Sequence, residues 1–263
     1  MQQKPNVLWI MSEQTNANTL GCYGNTDIQT PHIDALSDGG VRFDAAYATN
    51  PTCMPSRFSF LSGMYPHRHG LHSNFAGYRG PDPALALTNH LKESCGYTTA
   101  MAGKTHVGHW EDNAFDIKRQ NAGSPDENLY DKFLKDQGMQ HPEKGIKGDY
   151  VVKCAVRETD VPYAYSEPVW TANAAMEVMD QLTDPFFMWV SFDKPHGPFP
   201  IHPDAPVKYN PEELYLPPGD SRSFHAQPFS NRLGVENMWD IDVIGETAFR
   251  KALAAYYELI SMV

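Results

Sequence analysis

The sequence predicts an α/β fold with a mostly parallel central sheet flanked by helices, and three observations carry that expectation. Short apolar runs at residues 7–11 and 186–192 have the composition of strands buried on both faces. Helical patterns alternate with strand-like segments, as they do where parallel strands are joined by crossover helices. Chemically active residues follow the strand-like runs directly, and the carboxyl edge of an open parallel sheet is where ligands collect.

The elements follow in order. Val7-Leu8-Trp9-Ile10-Met11 is the first strand, and Ser12-Glu13-Gln14 leaves its end. Thr30-Pro31 caps a helix through Ile33, Ala35 and Leu36 that stops at Gly39-Gly40. Residues 41–47 are expected to form the next strand and deliver the chain to the stretch 51–63. There Pro55 suits the first turn of a helix, and Gly63 is a left-handed stop after Phe58, Phe60 and Leu61. Cys53 would then lie just before a helix N-terminus, whose unpaired N–H groups favour an anion; Arg57, one turn on, adds a fixed cation.

A Gly-, His- and Pro-rich loop spans residues 65–83. A helix over 85–93 ends before Gly96, and a strand over 97–101 leads into Gly103-Lys104-Thr105-His106. Residues 111–165 are polar, mixed in charge and broken by Gly and Pro, so they are expected to form an insertion over the sheet edge. A helix runs from Glu167 to Met179, Pro185 breaks it, and the strand over 186–192 ends at Asp193-Lys194-Pro195-His196. Residues 199–232 are loop-like. The last segment, 246–263, has Phe249, Leu253, Tyr256, Tyr257 and Ile260 at amphipathic spacing and no closing Gly, Asn, Pro or basic turn, which suggests that a C-terminal part of the fold is missing. No repeat or linker composition compels a boundary, so residues 1–263 are expected to be one portion of a single catalytic domain.

Composition narrows the function. A formal charge of −11 argues against non-specific nucleic-acid binding or an anionic membrane partner. Cys22, Cys53, Cys95 and Cys154 form no CxxC pair, so neither a zinc site nor a dense disulfide framework is suggested. Without a leader-like start or a long apolar segment, the chain is expected to be soluble and cytoplasmic.

For Cys53 three readings compete. It could be a small buried hydrophobe, or a thiolate nucleophile activated by the helix end and Arg57. The third comes from resemblance: Cys53-Met54-Pro55-Ser56-Arg57 followed by a short helix resembles the signature of the sulfatase family, in which the cysteine is oxidised to formylglycine. Further pieces extend that resemblance from Pro5 to about Val263: Leu20-Gly-Cys-Tyr-Gly-Asn25, Thr30-Pro-His-Ile-Asp-Ala-Leu36, Tyr65-Pro-His-Arg-His-Gly70, Gly103-Lys-Thr-His106 and Ser191-Phe-Asp-Lys-Pro-His196.

The resemblance implies an alkaline-phosphatase-like fold and a sulfuric-ester hydrolase acting on an aryl or small alkyl sulfate, a small anionic ester. It implies a formylglycine-generating enzyme as maturation partner. By motif, Cys53 becomes the nucleophile, Arg57 holds its oxygen, His106 assists its proton transfers, and Lys104 and His196 bind the ester, His196 also helping the leaving oxygen. Glu13, Gln14 and the oxidised Cys53 would ligate a divalent cation, Ca2+ foremost, with Mg2+ or Mn2+ as alternatives and the remaining ligands downstream. The family generally has Asp where this chain has Glu13. A phosphonate monoester or phosphodiester hydrolase is the alternative enzyme, and an inactive fragment or binding protein with the same fold is the alternative of another class. Trp110, Tyr163 and Phe199 are candidates for an aryl pocket, although core or surface packing is the commoner role of such residues.

Overall fold

The computed structural model describes residues 4–74, 82, 85–108, 110, 114–121, 128–142, 156–216 and 245–263. Along the chain run β1 (Val7–Ser12), α1 (Pro31–Asp38), α2 (Cys53–Ser62), α3 (Pro66–His69), α4 (Leu87–Cys95), β2 (Thr98–Gly103), β3 (Ile117–Gln120) and α5 (Leu129–Asp136). They are followed by β4 (Val156–Glu158), α6 (Glu167–Met179), β5 (Phe186–Phe192), β6 (Phe199–Ile201) and α7 (Glu246–Ser261). The chain divides into two compact units, although the sequence shows no boundary signal. The first comprises Met1–Glu13, Arg42–Gly138 and Glu167–Asp193; the second comprises Gln14–Val41, Met139–Ser166 and Lys194–Val263.

The first unit is built on a sheet of order β1-β5-β2-β3 with every pairing parallel. Register decides what meets at its carboxyl edge. Ser12 pairs with Phe192, and Gly103 pairs with both Ser191 and Gln120, so Glu13, Asp193, Lys104 and Asn121 leave the strands side by side. Helix α6 packs on β2, β3 and β5, α4 packs on β2, and α2 packs against α3 and α4. The core joins Met54, Phe58 and Leu61 of α2 to Met101, Trp110, Phe115, Phe187 and Trp189. Trp110, a candidate pocket wall, is therefore fully buried structural packing.

Three expectations are corrected here. β1 is not buried on both faces: it lies at the edge of the described sheet, and Ile10 is 54% exposed, whereas β5 in the centre is buried from Phe187 to Phe192. An apolar run signals a strand without saying whether neighbours flank it on both sides. Residues 41–47 form no strand, and Phe43 and Tyr47 are exposed. Residues 111–165 are not simply an insertion: Ile117–Gln120 is a strand of the central sheet, polar because it lies at the other edge, and α5 packs against it. The rest of that stretch includes 122–127 and 143–155, with Cys154, which lie outside the described residues.

The helices follow their sequence signals. α2 ends at Gly63 and α4 at Gly96, both left-handed, and α6 spans Glu167–Met179 as expected. Thr30 precedes α1 but does not cap its backbone; its hydroxyl accepts from Gly21 N at 2.9 Å and bonds Asp34 Oδ1 at 3.0 Å.

In the second unit β4 and β6 pair in parallel, and α7 packs against both. Phe199 of β6 is buried with Ala255 and Leu259 of α7, so it is core and not pocket wall. Tyr257 packs with Ile28 and Leu214, and its hydroxyl accepts from Asn25 Nδ2 at 3.0 Å. Among the described residues no helix is long and apolar enough to cross a membrane.

Candidate active site

Cys53 is the first residue of α2 rather than the residue before it. Thr52 caps in extended conformation without a side-chain bond, while Asn50 Oδ1 accepts from Thr52 N at 2.7 Å. The Met54 amide, one of the unpaired donors expected to attract an anion, is taken by Asn74 Oδ1 at 3.0 Å. The Cys53 thiol bonds both Asn74 and the Glu13 carboxylate. Burial raises its pKa, and the bond to Glu13 and the charge of Glu13 raise it further, against smaller lowering by Lys104 and Asn74. A carboxylate beside a thiol favours its protonated form, which argues against the reading of Cys53 as a thiolate activated by the helix end and Arg57.

Arg57, 2% exposed, is the strut between α2 and the strand ends. Its Nε donates to Glu13 Oε2 at 3.2 Å, and Nη2 forms an ion pair with the same oxygen. Nη1 donates to Lys104 O at 2.7 Å, Thr105 O at 3.2 Å and Ser191 Oγ at 2.9 Å, and the guanidinium lies 5.5 Å from the Trp189 ring centroid. One planar fork thus reaches the ends of β1, β2 and β5, which a lysine could not do. Lys104 Nζ in turn lies 3.6 Å from Glu13 Oε2 and 2.7 Å from Asp193 Oδ1. The result is an alternating chain Arg57–Glu13–Lys104–Asp193 beside the Cys53 side chain.

The charges set the titration of the site. Burial pushes Glu13 up, but Arg57 and Lys104, with hydrogen bonds from Cys53 and Arg57, outweigh it and bring its pKa down to about 2. Burial lowers His106 to about 4, helped by the cations of Lys104 and Arg57 against Glu13 and Asp193. His106 is therefore a neutral imidazole at neutral pH, suited to accept a proton. It sits just past β2 at a φ of 52°, a conformation few side chains adopt, and its buried Nδ1 has no hydrogen-bond partner among the described residues.

The structure thus brings Glu13, Cys53, Arg57, Lys104 and His106 together within the first unit. Gln14 and His196 belong to the second. Gln14 is exposed at a φ of 60°. His196 Nδ1 bonds the Gly197 carbonyl at 2.6 Å. A cavity of about 380 Å³ in the second unit, lined in part by Tyr23, Asn25, Asp27, Tyr215 and Tyr257, contains none of the expected site residues. Sequence reasoning missed Asp193 and Asn74. Asp193 directly follows β5 as Glu13 follows β1 and Lys104 follows β2, so the strand-end rule applied evenly would have found it. Asn74 lies in an irregular loop and carries no such signal.

Among the described residues no cluster of three or more His, Cys, Asp or Glu is arranged to hold a metal ion. The donors present are Glu13, its neighbour Gln14 and, if oxidised, position 53. An ionised carboxylate and an amide oxygen suit a hard divalent cation in charge and atom type, but Glu13 Oε2 is already shared by Arg57 and Lys104. These residues fit part of a coordination shell.

Parallel strands deliver a carboxylate and a lysine to one sheet edge, where Arg57 of α2 meets them, in an α/β fold of the alkaline-phosphatase-like class. The Sulfatase family model matches residues 5–261, and the chain belongs to that family. It is 32% identical over 237 residues to an ulvan-active sulfatase of Formosa agariphila, covering 85% of this chain and 42% of that protein. It is 41% identical over 109 residues to an N-acetylgalactosamine-6-O-sulfatase of Bacteroides thetaiotaomicron, covering 40% and 21%. The crystal structure of a phosphonate monoester hydrolase of Agrobacterium radiobacter superposes with a TM-score of 0.75 at 18% identity, over 98% of this chain and 57% of that one. At that identity the likeness is one of fold. The chain spans about half the length of these relatives, or less.

Proposed function

We propose that this chain carries the nucleophile half of a sulfuric-ester hydrolase active on an aryl or small alkyl sulfate, with formylglycine generated from Cys53 by a dedicated maturation enzyme. The observation that carries this reading is Cys53 as the first residue of α2, beside the Glu13 carboxylate with which both Arg57 and Lys104 pair. A thiol held protonated there gains nothing as a nucleophile. A hydrated aldehyde gains a base, two cations and a fixed orientation.

In the reaction His106 takes the proton of one hydroxyl of the hydrated aldehyde, and that oxygen forms a bond to sulfur as the bond from sulfur to the ester oxygen breaks. His196, assigned by its motif, delivers the proton that the departing alcohol needs. Lys104 balances the sulfuryl oxygens. The second hydroxyl then loses its proton, the carbon–oxygen bond to sulfate breaks, and the aldehyde that remains adds water. Glu13, with Gln14 and position 53, would hold part of the shell of a divalent cation, Ca2+ foremost, which neutralises charge on the sulfuryl group when bound.

The test is intact mass with peptide mapping after expression beside a formylglycine-generating enzyme, together with turnover of matched aryl sulfate and aryl phosphonate esters. Aldehyde at position 53 and preference for the sulfate are expected. An unmodified thiol in active protein overturns the mechanism, and a large preference for phosphonate overturns the substrate class. Failure on both esters by a longer, modified and metal-supplied form would make this a binding protein with the sulfatase fold.

A further inference from the structure

Lys194 is an unusual residue to find inside the second unit. It is 3% exposed, and burying an ammonium is costly unless polar atoms replace its water. Here they come from the turn that the lysine itself begins. Nζ donates to the His196 carbonyl at 3.0 Å and the Pro198 carbonyl at 3.5 Å, closing the backbone of residues 194–198 around its own side chain. The Gly197 carbonyl lies between these two and is 2.6 Å from His196 Nδ1. A carbonyl oxygen can only accept, so Nδ1 carries the proton. In the neutral ring Nε2 is then a bare acceptor, and in the charged ring it is the nitrogen that can give a proton away.

We propose that Lys194 is a positioning residue: its ammonium, held by the carbonyls of His196 and Pro198, fixes the 196–198 backbone so that the Gly197 carbonyl holds His196 in the Nδ1–H tautomer and leaves Nε2 as the working nitrogen. The proposal rests on the role given to His196 above, while its geometry lies wholly within residues 194–198. The turn is short, and its two prolines, Pro195 and Pro198, have no N–H with which to brace it.

The test compares Lys194→Met, which keeps the stem and removes the charge, with His196→Ala and the double variant, all carrying formylglycine. Long-range 15N–1H spectra of the imidazole rings report the tautomer independently of turnover. Wild type is expected to show the Nδ1–H form for His196, and Lys194→Met a mixture. Turnover of an ester with a poor leaving group should fall at least about tenfold in Lys194→Met, with a smaller loss for a good leaving group, at nearly unchanged thermal midpoint. In the His196→Ala background, Lys194→Met should cost nothing further. An unchanged His196 tautomer in Lys194→Met overturns the proposal, as does a full additional loss in the double variant. If His196→Ala is itself harmless, the role of His196 fails, and the tautomer spectra still decide whether Lys194 orients the ring. If Lys194→Met does not fold, Lys194→Arg, which restores the donor, must retain the Nδ1–H form or the proposal falls.

Discussion

At the scale of single residues, Glu13 is the pivot, because one of its oxygens is shared by Arg57 and Lys104. Its folded pKa of about 2 lies below the usual 4.5, so its contribution to stability is complete above the higher value and is lost as pH falls toward 2. The gap corresponds to roughly 3 kcal/mol. Glu13→Gln should remove most of the acid-dependent part of the urea midpoint between pH 6 and pH 2, and should destabilise at pH 7 by about 3–5 kcal/mol by leaving the buried Arg57 without its carboxylate, while Lys104 keeps Asp193. An unchanged pH dependence would mean that the ion chain is not what holds the strand ends together. Lys104 is 7% exposed and contacts both Glu13 and Asp193, so Lys104→Ala should reduce stability as well as turnover, whereas the sequence alone suggests that turnover falls far more than stability. His69, 4% exposed, accepts from Leu71 N through Nδ1 at 3.2 Å, and its Nε2 meets Ser59 of α2 at 3.1 Å. Burial lowers its pKa below 6.5, so the stability it contributes is present above 6.5 and declines as pH falls below it. The protection factors of the α2 amides, with the intrinsic base-catalysed exchange rate divided out, should therefore fall between pH 7 and pH 5.5, and that change should vanish in His69→Gln.

At the scale of elements, the site depends on how closely β2 passes β5 and α6. A Cβ at Gly103 would stand 2.0 Å from Ser191 O and 3.0 Å from Thr171 Cγ2, at a φ of 95°. Backbone cannot yield as a flexible side-chain tip can, so Gly103→Ala should cost more than about 4 kcal/mol and leave little folded protein in circular dichroism melts. Gly138 has a φ of 72° but open space around it, so Gly138→Ala should cost only about 1–2 kcal/mol. Similar melts for the two variants would contradict the packing described for this strand end. Behind it, the Glu167 carboxylate of α6 accepts from Thr171 Oγ1 at 2.7 Å and from Asp193 N at 3.4 Å, which ties the helix to the end of β5 that bears Asp193.

At the scale of the molecule, an acidic chain must gather positive charge to hold an anion. Arg57 and Lys104 supply two positive charges, and Glu13 and Asp193 cancel them. With His106 neutral, the described residues of the first unit's site carry no net attraction for sulfate. A divalent cation restores the balance, so Ca2+ should tighten inhibition of the formylglycine form by inorganic sulfate at least about tenfold. Metal-independent inhibition would show that the cations alone suffice. With only Glu13, Gln14 and position 53 as donors, residues 1–263 by themselves should bind Ca2+ no more tightly than about 10⁻³ M in calorimetry, and a nanomolar site would require donors that the described residues do not present.

Much of this protein is legible without coordinates because its signals are local. Gly63 and Gly96 end their helices where left-handed backbone is needed, Glu167 to Met179 is a continuous helical pattern, and the apolar run 186–192 is the strand at the centre of the sheet. The convergence of Glu13 and Lys104 follows from strand order, since parallel strands deliver their ends to one edge, whereas Cys53 and Arg57 arrive on α2 and not from the strand expected over 41–47. The sequence is silent where the answer depends on which strand lies beside which. That is why β1 turns out to be an edge of the described sheet, why the mostly polar segment 117–120 joins it at the other edge, and why residues 41–47 stay out of it. The same reason hides Asp193 as the partner of Lys104 and Glu13 as the counter-ion of Arg57: these charges lie far apart in the chain and become neighbours only through the tertiary packing of strand ends and α2, which a local pattern cannot encode.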